Sequence, residues 1–157
     1  MKKNIFLVIV SVIIAQLAGV VGSIFTTASI QNWYAFLEKP FFAPPNWLFA
    51  PAWITLYTLM GIAAFLAWQK TENLKLRNCA LNLYGVHLLL NALWSVIFFG
   101  MRNPGLAFIE IVVLWIFILV ITVKFFRIRK VAGFLFIPYL LWVSFASVLN
   151  LSIWLLN

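Results

Sequence analysis

Three side chains spread along this sequence, Trp53, Asn91 and Trp142, have the chemistry to hold a flat, largely apolar molecule with a few polar edges. An indole offers a broad polarizable face and an N–H donor, and a carboxamide both donates and accepts. The segment leading into the first of them is unusual as well: Trp33-Tyr34, Leu37-Glu38-Lys39-Pro40, Pro44-Pro45, Trp47 and then Trp53, aromatic and proline-rich in an otherwise oily chain. Prolines disfavour helix at the residue before them and remove backbone donors, so Pro40 to Pro45 break the chain into a structured connection ahead of a new helix. Tryptophans there stand where a lid would stand.

Conventional reaction chemistry has little to work with. The chain contains no Asp, and of its three carboxylates Glu38 and Glu72 flank the apolar runs while Glu110 interrupts one. There is no nucleophile–base arrangement and no glycine-rich phosphate loop. His87 lies one turn from Asn91, so one helix face serves both. A lone histidine more often bonds a neighbouring helix than binds metal, and no second His or carboxylate stands at ligand spacing, so no metal site is expected. Intramembrane ionisable groups are functional candidates by default, and Glu110 is read as protonated, bonded to a hydroxyl or used between subunits.

The elements that must position these residues follow from composition. Apolar residues make up 66 % of the 157 and charged residues 9 %, against roughly 45–50 % apolar in soluble domains. Five runs each hold the roughly 20 residues that cross a bilayer core, so five transmembrane helices are expected, near 5–25, 47–68, 79–101, 104–123 and 131–155. The fold class is an all-α integral membrane protein, one domain over 1–157 forming a five-helix bundle with a structured loop between helices 1 and 2. The first run follows Lys2-Lys3 like a secretory signal, but apolar character continues past Ala18 to Phe25, so it is read as a retained span. Asn103-Pro104 reads as a helix cap and first turn, and Pro138 and Pro51 as interruptions within spans five and two.

A formal charge of +8 suggests nucleic acid in a soluble protein; here it is a topology signal. Lys2, Lys3, Lys70, Lys75, Arg77, Lys124, Arg127, Arg129 and Lys130 collect on one side of a five-span chain, and only Lys39 and Arg102 on the other. Positive residues stay inside, which puts the N-terminus in the cytoplasm and the C-terminus outside, with membrane lipid as a partner and no nucleic acid. The single cysteine, Cys79, excludes an internal disulfide.

With that topology, a 1.5 Å rise per residue puts Trp53 ~9 Å, Asn91 ~15 Å and Trp142 ~13 Å below the outer surface. One layer therefore receives all three. It is either a pocket or a set of packed tryptophans with Asn as interhelical glue. Trp94 and Trp115 are pocket walls or core, whereas Trp68 and Trp154 belong to interfacial belts, with Trp33 and Trp47 flanking the outer one.

These residues also resemble a known family. Trp33-Tyr34-x-x-Leu37-x-Lys39-Pro40 with Pro44-Pro45, Trp53-x-x-Leu56-Tyr57-x-x-Met60-Gly61, Leu90-Asn91-x-x-Trp94-Ser95-x-x-Phe98-Phe99 and Pro138-Tyr139-x-x-Trp142-x-x-Phe145-Ala146-x-x-Leu149-Asn150 occur in order over residues 33 to 150. The chain is similar in them to the TspO/MBR family of tryptophan-rich sensory and translocator proteins, which includes the peripheral-type benzodiazepine receptor. The resemblance implies a five-helix fold, frequently a homodimer, in a membrane that would be a bacterial cell membrane here. Its outer-half pocket, closed by the first connection, takes porphyrins such as protoporphyrin IX and heme, and isoquinoline- or benzodiazepine-type drugs. Carried over, Trp53, Asn91 and Trp142 line that pocket and Ala146 matches a position associated with affinity. Trp33, Pro44, Pro45, Trp47 and Trp94 complete the expected ligand-binding set. Porphyrin is then ligand or substrate, and no cofactor is expected. Function is a membrane receptor or sensor; the alternatives are a light- and oxygen-dependent porphyrin-degrading enzyme, with Trp53 and Trp142 in the catalytic role, or a porphyrin or lipid transporter. The mammalian sterol motif needs a Tyr followed by Lys or Arg late in helix five; this chain reads Val148 to Asn157 without either, which makes sterol binding doubtful.

Overall fold

A computed structural model describes residues 2–69 and 73–157. Five helices, each long and apolar enough to cross a membrane, account for nearly all of it: α1 (Lys2–Ile30), α2 (Phe49–Gln69), α3 (Leu74–Ser95), α4 (Pro104–Ile128) and α5 (Lys130–Leu156). Between α1 and α2 the connection carries two short 3₁₀ turns, Tyr34–Phe36 and Asn46–Leu48. Lys70 and Glu72, counted above with the connecting charges, lie outside the described residues.

The helices extend beyond the hydrophobic runs, because a helix needs satisfied backbone rather than apolar side chains once it leaves the hydrocarbon. The third begins at Leu74 rather than near 79: the Asn73 side chain caps it by accepting from the Leu76 amide at 2.9 Å, and Lys75 and Arg77 ride on its first turn. Asn103 caps α4 in the same way, accepting from the Leu106 amide at 2.9 Å with Pro104 at the first helical position. That helix runs on past 123 to Ile128, and the first runs on past 25 to Ile30, where the buried Ser29 hydroxyl donates to the Phe99 carbonyl at 2.7 Å. The third helix widens into a π turn over Val96–Gly100 before Arg102, at φ 52°, reverses the chain into α4. Only Arg129, in extended conformation, separates α4 from α5. Pro51 falls in the first turn of α2, where its missing N–H breaks no helical bond, while Pro138 lies inside α5.

Around the bundle the neighbours run α1, α2, α5, α4, α3 and back to α1. At the end away from the long connection the packing is tight. Ala63, Ala64 and Ala67 of α2 and Ala80 of α3 let helices approach, and Phe125, Phe136 and Tyr139 fill the centre. Nearer the connection a smaller aromatic cluster forms around Tyr34, Phe98 and Phe99. The first helix meets the second with almost no side chain between them: a Cβ built on Gly61 would stand 2.5 Å from the Val12 Cα. There the Ser11 hydroxyl donates to the Gly61 carbonyl at 2.8 Å.

The connection is held at both ends. Tyr34 is buried, its ring against Phe98 and Phe99, with the Lys39 ammonium 4.8 Å from its centroid, and burial pushes its phenol above the usual range. Across from it the Asn157 carboxamide pairs with the Glu38 backbone in both directions, accepting from the amide at 3.0 Å and donating to the carbonyl at 3.1 Å.

Overpacked contacts cost about 1–3 kcal/mol and an interhelical hydrogen bond in a membrane about 0.6 kcal/mol. Gly61→Leu is therefore expected to lower the melting temperature in detergent micelles well below that of Ser11→Ala. Equal melting of Gly61→Leu and wild type would show that α1 and α2 do not touch there.

Candidate functional site

Beneath the connection the helices part around a cavity of about 420 Å³, lined by α1, α2, α3, α5 and the connection but not by α4. At its floor stand Tyr57 and Asn91, two members of a hydrogen-bonded triplet from three helices whose third, Tyr139, is buried behind the lining. The Tyr57 hydroxyl donates to Oδ1 of Asn91, and Nδ2 of Asn91 donates to the Tyr139 hydroxyl at 3.0 Å. Without water to turn to, a buried carboxamide needs such partners, and both phenols supply them.

One wall is aromatic. Trp53 stacks on Tyr57 at 5.4 Å and meets Trp142 edge to face, 6.5 Å between centroids at 82°. Four residues on from Trp142, Ala146 lines the same wall with a methyl group only. Trp94 both lines the cavity and packs on Phe98 at 5.0 Å. Its indole donates to Oδ1 of Asn150 at 3.0 Å, and Asn150 in turn donates to the Pro104 carbonyl at 2.8 Å, tying α3, α4 and α5 together. Opposite stands a slim face of α1, with Gly19, Gly22, Ser23 and Thr26. Gly22 is close enough to α3 that a Cβ would meet the Ser95 hydroxyl at 2.9 Å. Gln16 closes the lower edge of this face by donating to the Ile54 carbonyl at 3.0 Å and the Thr58 hydroxyl at 3.1 Å.

Among the described residues no charged side chain lines the cavity, and no His, Cys or Met does. Asn91 has spent one donor and one lone pair on the phenols, so one N–H and one lone pair remain. Among the described residues the indole N–H groups of Trp53 and Trp142 have no protein acceptor, which leaves two donors on the aromatic wall. The hydroxyls of Ser23 and Thr26, both in the lining, donate back to α1 carbonyls and keep lone pairs to accept with. The arrangement suits a flat, uncharged surface with acceptor atoms at its edge.

Of the residues expected from sequence, Trp53, Asn91, Trp94, Trp142 and Ala146 meet at this cavity. Trp33, Pro44, Pro45 and Trp47 do not line it. Trp33 packs edge-on to Phe98 above the cavity, Trp47 is 71 % exposed, and Pro44 borders a separate groove between α2 and α5. Tyr34 and Asn46 are the residues through which the connection reaches the lining. Tyr57 and Tyr139 stand in the motifs quoted from sequence without a role of their own, and Gln16 was not named there, though each left a signal. Tyr57 is one turn from Trp53, Tyr139 one turn from Trp142, and Gln16 is a lone carboxamide inside the 5–25 run.

The two ionisable residues within spans lie elsewhere. His87 is fully buried under the floor, its ring 5.5 Å from that of Tyr139. Its Nδ1 lies 2.7 Å from the Tyr84 carbonyl, and since a carbonyl only accepts, Nδ1 carries the proton. Glu110 is buried on α4, outside the lining. Trp115 donates to the Ser144 hydroxyl at 2.8 Å and also stands outside it. Trp68 and Trp154 are both about half exposed.

Comparison with known proteins agrees with this architecture over nearly the whole chain. The family model described as the TspO/MBR family matches residues 11–155. The tryptophan-rich protein TspO of Archaeoglobus fulgidus is 44 % identical over 154 residues, covering 98 % of this chain and 99 % of that protein. The tryptophan-rich sensory protein of Cereibacter sphaeroides is 38 % identical, covering 81 % and 78 %. The human translocator protein is 36 % identical, covering 85 % and 80 %. With five apolar helices closed into one ring and a family match spanning all of them, the chain belongs to the TspO/MBR family of integral membrane proteins.

Proposed function

We propose that this protein is a membrane sensor that binds a porphyrin in the cavity between the connection and the Tyr57–Asn91–Tyr139 floor. The observation that carries it is the edge-to-face pair of Trp53 and Trp142 in a cavity without charged side chains. One indole lies across the macrocycle while the other meets its rim, and the free N–H groups reach electron-rich edges. Isoquinoline- and benzodiazepine-type molecules share the flat, neutral shape, and a volume of about 420 Å³ falls in the ~300–1,000 Å³ range of small-molecule sites.

The absence of cations from the lining sets the orientation. A carboxylate in a low-dielectric cavity with no partner costs several kcal/mol or more, so the acidic groups of protoporphyrin IX stay at the mouth beneath the connection. The lining likewise offers iron no imidazole, thiolate or thioether; of its two phenols, that of Tyr57 is committed to Asn91 and that of Tyr34 is kept protonated by burial. The macrocycle is therefore held by its faces, and a metal-free porphyrin binds at least as well as heme.

Basic residues support the orientation of the chain. Lys3, Lys75, Arg77, Lys124, Arg127, Arg129 and Lys130 lie at the end of the bundle opposite the connection, which we assign to the cytoplasm, with Asn157 outside. The cavity then occupies the outer half of the membrane.

A second reading has its own support: Trp53 lies between Tyr57 and Trp142, so an excited porphyrin held there touches a continuous run of oxidisable rings. In that case light and dioxygen supply the oxidation and the protein degrades the macrocycle.

Titration of protoporphyrin IX against tryptophan emission tests the site. Losing one indole's stacking and N–H is worth about 0.5–1.5 kcal/mol, so Trp53→Phe and Trp142→Phe each weaken binding a few-fold with near-parental melting. Asn91→Ala also lowers the melting temperature, because it strands buried phenols at about 1–3 kcal/mol each. Unaltered affinity in both tryptophan variants would place the ligand elsewhere, and heme binding much more tightly than the free porphyrin would reveal an axial ligand. For the enzymatic reading, Soret absorbance of bound porphyrin is followed under light and air; a Trp53→Phe/Trp142→Phe protein that bleaches it as fast as wild type removes any catalytic role. Alkaline phosphatase fused after Asn157 is expected to be active in cells, and an inactive fusion that is stably made would invert the topology.

A further inference from the structure

Besides the cavity, the bundle carries a groove on its outer face between α2 and α5. Ala52 and Thr55 border it on α2, Pro138, Leu141 and Phe145 on α5, and Trp142 forms its inner side. Towards the connection it ends against Pro44 and Leu48. The hollow exists because the side chains at 52 and 55 are too short to fill the space in front of Trp142.

Its chemistry points to one class of occupant. Among the described residues no charged side chain borders the groove; the Thr55 hydroxyl is satisfied by donating to the Pro51 carbonyl at 2.8 Å, and the indole N–H of Trp142 is the one donor without a protein acceptor. Leu141 on its rim is 64 % exposed, and Pro51 and Pro138 are exposed beside it. In a membrane-spanning bundle that surface is the interface with hydrocarbon, and the groove is continuous with it. An apolar chain is the complement of such a lining, and a charged ligand would find no partner of opposite charge in it.

We propose that this groove binds one acyl chain of a membrane phospholipid, packed on the outer side of Trp142. The inner side of the same residue lines the cavity, so Trp142 is a partition one side chain thick between lipid and cavity. The bound chain takes the place of a sixth packing element, bracing the indole from behind and making part of the cavity wall out of lipid.

The test uses the full chain in phosphatidylcholine nanodiscs containing a phosphatidylcholine with a diazirine midway along one acyl chain. After illumination, adducts are mapped by mass spectrometry of proteolytic fragments. Adducts on residues 48–56 and 138–145 are expected several-fold above those on the exposed apolar face of α1 at Ile9, Ile13 and Leu17 in the same sample. In Ala52→Phe, which fills the groove without reaching the cavity lining, they fall to the α1 level while α1 labelling stays constant and reports correct insertion. Thr55→Leu fills the same space if the larger ring prevents folding. Equal labelling of groove and α1, or labelling of the groove unmoved by the filling variant, means unspecific surrounding lipid and overturns the site.

Discussion

A single carboxamide in the middle of the bundle organises what surrounds it. Asn91 on α3 accepts from one phenol on α2 and donates to another on α5, so three helices are tied at one level. Hydrophobic burial cannot supply that register in a bilayer, where lipid tails are as apolar as the side chains. Directed bonds can, because the alternative for each group is no partner at all. The triplet stands at the boundary between a tightly packed end and an open one, and the cavity begins where it stops.

That division into two ends is a matter of side-chain size. Alanines and glycines of α1, α2 and α3 bring backbones together below the triplet, as at Gly61 against Val12. Above it α2, α3 and α5 carry Trp53, Trp94 and Trp142, whose rings hold the backbones apart, Trp53 packing on Trp142 and Trp94 on Phe98. Bulky rings facing a common centre produce a space that they line but do not fill. The connection covers this space from a distance. Its tryptophans and prolines shape its own path and a neighbouring groove, and only Tyr34 and Asn46 reach inward.

Five spans were legible in the sequence because bilayer thickness fixes how long an apolar run must be. Their ends were less so. Hydropathy reports where lipid stops, and the helices at Leu74 and Ile128 continue beyond that point under the control of the Asn73 cap and the break at Arg129. Asn103 was readable as a cap because Pro104 follows it, whereas Asn73 was hidden among charges. Within the site, counting residues from the ends brought Trp53, Asn91 and Trp142 to one depth, and family motifs added Trp94 and Ala146. Depth carries no information about rotation around a helix axis. Spans that are apolar on every side give no phase, so the partners of Asn91, and the whole contribution of α1 through Gln16, Gly19 and Gly22, are visible only in the folded bundle.

The pairing of Asn157 with Glu38 bears on how this protein is handled at the bench. The residue that caps α5 is stitched to the backbone of the connection like one more rung of a ladder, so the end of this helix and the cover of the cavity are joined. A purification handle or fluorescent partner added after Asn157 crowds that rung, and a change in ligand behaviour could then be mistaken for an intrinsic property. The N-terminus is the safer place for such additions. The start of α1 at Lys2 lies a full 29-residue helix away from the connection, about 43 Å at 1.5 Å per residue, at the packed end of the bundle.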